Sequence, residues 1–126
     1  MITIHGTLYS SKNHTQILRN RNTGKSFVSK PKKTKQAESG LLLQLNANKK
    51  EWGRMESSHT DYPLRVQFKI YRKTKQRFDY SNICQSIFDL MVKAGYLPDD
   101  SADYFIPVFE PYEVDPKNPR VEITIL

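Results

Sequence analysis

Residues 64 to 71, Leu-Arg-Val-Gln-Phe-Lys-Ile-Tyr, alternate apolar and polar side chains without a break, and this run limits the possible folds more than any other. Successive side chains of a strand point to opposite faces, so Val66, Phe68 and Ile70 are expected to face a core, with Arg65, Gln67 and Lys69 facing outward. A helix is expected soon afterwards. Ile83, Ile87, Leu90, Met91 and Ala94 recur at the three- and four-residue spacing of one helical face, Ser81 is placed to cap its start, and Gly95 to close its end. A half-buried strand feeding an amphipathic helix predicts an α/β (α+β) domain with a small mixed sheet.

The remaining elements are weaker. Ile2, Ile4 and Leu8 read as a first strand, with Gly6 as a bulge, and Arg120 to Leu126 as a last strand with Val121, Ile123 and Ile125 inward. Tyr104 to Phe109 is apolar but contains Pro107, which suits an edge strand. Ala37, Leu41, Leu45 and Trp52 predict a helix over about Lys33 to Asn48, followed by a polar connector over Arg54 to Tyr62. The expectation is therefore two main helices. Residues 9 to 35 hold almost no core and are rich in Ser, Asn, Thr and Lys. Asn22-Thr23-Gly24-Lys25 is the turn of a basic loop or hairpin there.

A chain of 126 residues supports one core, so residues 1–126 are expected to form a single domain. No run approaches the ~18 apolar residues of a membrane helix. Met1 to His5 does not look like a signal peptide and Cys84 has no partner for a disulfide, so a soluble cytoplasmic protein is expected.

Charge is divided sharply along the chain. Residues 1 to 78 carry 17 Lys and Arg against 4 acids and residues 79 to 126 carry 3 against 9, so the parts are +13 and −6 within a total of +7. A basic surface gathers phosphate backbone and an acidic patch holds divalent metal, a combination that suits a nuclease. The acidic patch centres on residues 77–103, RFDYSNICQSIFDLMVKAGYLPDDSAD, where Asp79 precedes the helix and Asp99-Asp100 follow it. A helix of about 13 residues holds them roughly 20 Å apart along its axis. They can approach only if the chain after the helix runs back along it. The plainer reading is that Asp79 serves as a cap or dipole partner of the helix and that Pro98-Asp99-Asp100-Ser101 is a solvated turn.

These residues resemble the RusA family of Holliday junction resolvases, phage-associated endonucleases that cut four-way DNA junctions. The family pattern is an Asp-x-Asp-Asn start, a Lys three residues later, a helix with Asp-Ala-Leu and Ala-Gly, and then Asp-Asp. Matching it here are Asp79, Asn82, Asp89-Leu90, Ala94-Gly95 and Asp99-Asp100, with Lys75 and Arg77 where the family has arginines. The segment SSKNHTQILRNRNTGKSFVSK is similar to the family's Ser-Asn-Asn stretch and Arg-rich hairpin. Two positions depart from the pattern. Ser81 stands where the family has its second metal-binding aspartate, and Gln85 where it has a catalytic lysine.

The resemblance implies a magnesium-dependent homodimer, with manganese as the alternative ion, that resolves branched DNA by paired symmetric nicks during recombination and repair. It implies that Asp79 and Asp100 bind metal, that Asp99 assists, and that Asn82 orients a ligand or phosphate. Lys12, Asn13, Arg19, Arg21, Lys25, Lys30, Lys73, Lys75 and Arg77 are the expected DNA contacts. The competing expectation is a junction-binding module whose site has decayed at Ser81 and Gln85. A third is a basic protein for single-stranded DNA or RNA.

Other signals are weak. Thr23-Gly24-Lys25-Ser26 imitates the end of a phosphate-binding loop but has Arg19 where a glycine is needed, so no nucleotide cofactor is expected. His5, His14 and His59 lack ligand spacing, and Cys84 has no histidine placed to activate it. Of the aromatic residues Tyr9, Phe27, Tyr80, Tyr104, Phe105 and Tyr112, only Phe27 sits in a basic loop where base stacking is a fair expectation.

Overall fold

Alternation and helical periodicity both carry through to the structure, a computed structural model that describes residues 1–8, 16–19, 26–29, 32–59 and 61–126, with side chains for 1–8, 35–59 and 61–126. The elements in chain order are β1 (Ile2–His5), β2 (Gln16–Arg19), β3 (Ser26–Ser29), α1 (Lys32–Ala47), α2 (Lys49–Glu56), β4 (Leu64–Arg72), α3 (Tyr80–Lys93), β5 (Phe105–Phe109), β6 (Glu113–Val114) and β7 (Arg120–Ile125). The main sheet runs β1-β7-β4-β5, with β6 also on β4. β4 is antiparallel to β7 but parallel to β5 and β6, which makes the sheet mixed. A parallel pair cannot be joined by a hairpin, and α3 lies in the crossover that joins β4 to β5.

One face of the sheet is core. Ile2, Ile4, Val66, Phe68, Ile70, Val121 and Ile123 are buried against Leu45, Trp52, Ile87 and Met91 from the helices. At roughly 1.5–3 kcal/mol for each large aliphatic or aromatic side chain buried, this layer is the main source of stability. The outward face is polar, and two of its cations are paired with acids on neighbouring strands and turns. Lys69 lies 3.4 Å from Glu113, and Arg120 bridges to Asp115 at 2.9 Å and Glu122 at 3.2 Å while its guanidinium sits 3.6 Å from the centre of the Tyr71 ring. Lys69 and Arg120 are thus engaged with neighbouring acids.

Three helices are present rather than the two expected from the sequence, and this corrects the fold reading. The first helix ends at Ala47, Asn48 breaks it, and α2 occupies Lys49 to Glu56, running into the segment expected to be a polar connector. Apart from Trp52, its residues are charged, glycine or half-buried methionine, so its apolar face is the single step from Trp52 to Met55. Trp52 is buried, stacked on Tyr96 at 4.8 Å and donating from Nε1 to the Tyr96 carbonyl at 3.0 Å. One aromatic anchor holds this short helix. The Tyr96 hydroxyl in turn donates to the Leu45 carbonyl, and burial pushes its pKa up to about 12.

Gly6 ends β1 instead of bulging it. Its φ of +116° lies in a region that favours glycine, and its N–H donates to the Pro119 carbonyl at 2.9 Å. The exposed edge of β1 is closed by α1, where the Gln44 side chain accepts from His5 N–H at 2.7 Å and donates to the His5 carbonyl at 2.8 Å. Such pairing satisfies the backbone groups of an edge strand. β2 and β3 form the antiparallel hairpin expected from the sequence, with Arg19 opposite Ser26. Its turn, residues 20–25, lies outside the described residues.

Candidate metal and DNA site at the start of α3

Asp79 holds the N-cap position of α3 with extended backbone angles of φ −109° and ψ 132°, and its side chain makes no cap hydrogen bond. This displaces Ser81 from the capping role that its side chain suggests. The helix begins earlier because the Asp79 carbonyl already accepts from Asn82 N–H at 3.1 Å and Ile83 N–H at 3.2 Å, leaving Ser81 in the first turn and exposed. Asp79 is exposed, and its Oδ2 accepts from Asn82 Nδ2 at 3.1 Å. The carboxylate is therefore turned toward the outer face of the helix.

The far end of α3 closes as a Schellman turn. Tyr96 N–H reaches the Met91 carbonyl at 2.9 Å, Gly95 N–H reaches the Val92 carbonyl at 3.0 Å, and Gly95 has φ +82°. The reversal sends the chain back along the helix. Asp100 arrives beside Gln85, two turns short of the helix end, with its Oδ2 3.5 Å from Gln85 Nε2. The same nitrogen donates to Asp89 Oδ1 at 3.0 Å. Asp79, Asn82, Gln85, Asp89 and the returning Asp100 thus form a polar stripe on α3, in which Gln85 links Asp89 to Asp100. Asp99, the residue before Asp100, is exposed.

The remaining distance is set by the helix. Gln85 lies six residues after Asp79, or ~9 Å along the axis at 1.5 Å per residue. Among the described residues no three His, Cys, Asp or Glu side chains come together as a metal-holding group. Magnesium is commonly held by one or two carboxylates, with water and substrate phosphate completing its shell. The hard oxygen donors here fit such an ion at one carboxylate or the other. They do not form a cage for two ions.

The basic loop between β4 and α3 stands next to Asp79. Lys73, Lys75 and Arg77 are exposed. Arg72 is not available in the same way, since its guanidinium lies 4.1 Å from the centre of the Phe78 ring and donates to the Gln76 carbonyl. Lys12, Asn13, Arg21, Lys25 and Lys30 lie outside the described residues, as does the side chain of Arg19 on β2. Phe27 is likewise described by its backbone alone.

A comparison with protein-family models matches residues 11–126 to Endodeoxyribonuclease RusA. The chain belongs to the RusA family. Among curated proteins none matches it. RusA membership makes nuclease the general class of activity. No helix among the described residues is long and apolar enough to cross a membrane.

Two features are not evident from the sequence. Gln85, which there stands out only as a departure from the RusA pattern, is the residue that contacts both Asp89 and Asp100; the four-residue step from Gln85 to Asp89 was the available signal. Tyr80 and Tyr112, candidates for base stacking by residue type, are joined to each other, with Tyr112 N–H donating to the Tyr80 hydroxyl at 2.9 Å. Cys84 is buried and its thiol is pushed up to about 12 by burial, in keeping with a core side chain rather than a nucleophile.

Proposed function

We propose that this RusA-family chain is a magnesium-dependent endodeoxyribonuclease that resolves four-way junctions or related branched DNA, as a homodimer, by paired nicks. The observation that carries this reading is the return of Asp100 onto the face of α3 that begins with Asp79, directly after an exposed basic loop. Asp79 and Asp100 would each offer a carboxylate to magnesium, at points ~9 Å apart along α3, with Asp99 in support of Asp100. Bound there, magnesium would supply Lewis-acid polarisation of a phosphate oxygen. Lys73, Lys75 and Arg77 draw the DNA backbone towards these carboxylates, and Asn82 keeps Asp79 turned outward through its 3.1 Å bond. Gln85 orients Asp100 as a neutral donor and brings no positive charge to the phosphate.

A second reading has specific support in Ser81, Gln85 and the absence of a three-carboxylate group among the described residues. It is a junction-binding protein of RusA type that does not cut. The two separate on a synthetic four-way junction and its linear duplex, each incubated with protein at concentrations confirmed to bind, with magnesium and then manganese. Paired cuts in the junction alone are expected. Tight junction binding without cuts in either metal would favour the binding module, and equal affinity for junction and linear DNA would remove both.

A further inference from the structure

The residues on either side of Asp79 are aromatic, and both are anchored. Phe78 meets Tyr80 edge-on with ring centres 5.1 Å apart and Tyr112 at 4.9 Å, while Tyr80 stacks on Phe109 at 5.1 Å. The Tyr80 hydroxyl is also held. β5 ends at Phe109 and β6 begins at Glu113, and Pro111 between them has no N–H to give a ladder. At this break the Tyr80 hydroxyl donates to the Glu110 carbonyl at 3.3 Å and accepts from Tyr112 N–H at 2.9 Å. A single side chain therefore joins the first residue of α3 to the interruption between β5 and β6.

The consequence follows from the missing cap. A helix start usually gains order from a side-chain bond to its free N–H groups, and without one the first turn frays more readily. Asp79 makes no such bond. Its backbone direction must then be set by its neighbours, and Tyr80 is the neighbour with both a packed ring and two hydrogen bonds. We propose that Tyr80 is a positioning residue that fixes the start of α3 and so the direction of the Asp79 carboxylate toward Asn82 and the phosphate path. The same cluster reaches the basic loop, because Arg72 lies over Phe78 and holds the Gln76 carbonyl. The loop that gathers DNA and the carboxylate that follows it thereby share one anchor. The effect on cutting rests on the nuclease reading above; the effect on the Asp79–Asn82 pair does not.

Tyr80→Phe tests the idea because it keeps the ring and removes both hydrogen bonds. Its control is Tyr96→Phe, which removes a buried hydroxyl bond to Leu45 elsewhere in the core. In nitrogen-15 spectra, the Asn82 side-chain amide of Tyr80→Phe is expected to move toward its position in Asp79→Asn, whereas Tyr96→Phe leaves it in place. Junction affinity should stay as in the parent chain while the single-turnover nicking rate of Tyr80→Phe falls about tenfold, part of the ~10²-fold that a 1 Å misplacement costs. An unmoved Asn82 amide in Tyr80→Phe overturns the proposal whether or not the chain cuts DNA. Equal loss of rate in Tyr96→Phe overturns it too, since Tyr80 would then act only through stability. A parent chain that never cuts, but whose Asn82 signal still depends on Tyr80, removes the nuclease reading and supports the positioning role.

Discussion

On one face of α3, Ile83, Ile87, Leu90 and Met91 are packed away from water; on the other, Asn82, Gln85 and Asp89 follow Asp79 along the surface and meet Asp100. The buried face is held by many partners at once, so each of its side chains answers to volume and shape. The polar face is held by single hydrogen bonds of 3.0 to 3.5 Å between exposed or half-buried groups. Bonds of that kind contribute little to stability. They set where two carboxylates point, and substitutions on this face are expected to change the site without losing the fold.

The sharpest way to break the comparison is to neutralise a carboxylate. Asp79→Asn and Asp100→Asn are each expected to lower junction nicking by about 10³-fold, equivalent to ~4 kcal/mol of transition-state stabilisation, with unchanged thermal stability and junction affinity. Loss of the fold in either variant would show that the polar face is structural after all. The opposite substitution, Ile87→Ala, is expected to cost about 2–5 kcal/mol in denaturant unfolding, because it leaves a cavity in a fully buried layer. Nicking per folded molecule should be unaffected.

Ser81→Asp probes the same contrast by addition. Ser81 is exposed in the first turn, where negative charge suits the helix dipole, so the variant should fold at least as stably as the parent. If two-ion chemistry is what the site lacks, nicking in magnesium should rise about tenfold, or ~1.4 kcal/mol. No gain, with tighter manganese binding also absent, would place the limiting defect at Gln85. The smallest effect is expected in the basic loop. Replacing Lys73, Lys75 or Arg77 singly by Gln should reduce the slope of log affinity against log salt by ~0.9 for each duplex phosphate that the side chain neutralises in the parent. A slope unchanged by all three would take this loop out of the DNA path.

Much of the fold is legible in advance because its elements carry strong periodic signals. The alternation from Leu64 to Tyr71, the stripe from Ile83 to Ala94, the Gly95 terminus and the edge strand marked by Pro107 all follow from burial of one face. α2 announces itself only weakly, since its apolar face consists of Trp52 and Met55 alone, one three-residue step within eight residues. The N-cap is hard to place for a related reason: Asp79 and Ser81 are both capping residues by type, and it is the backbone carbonyl of Asp79 that starts the helix, with Tyr80 packed against Phe109 at that start. Of the candidate site, residue types are legible and separation is not. Asp79 and Asp100 are 21 positions apart, and only the turn at Gly95 brings the second back beside Gln85.

Sequence alone determined the class of fold, the family, the charge division and which face of α3 is buried, because each of these depends on local pattern or on composition. Tertiary structure decided the rest: that the outward cations Lys69 and Arg120 are tied to acids, that Arg72 is folded onto Phe78, and that Gln85 contacts Asp100. Those outcomes depend on how separate elements meet, a geometry that exists only after the sheet and its helices have packed.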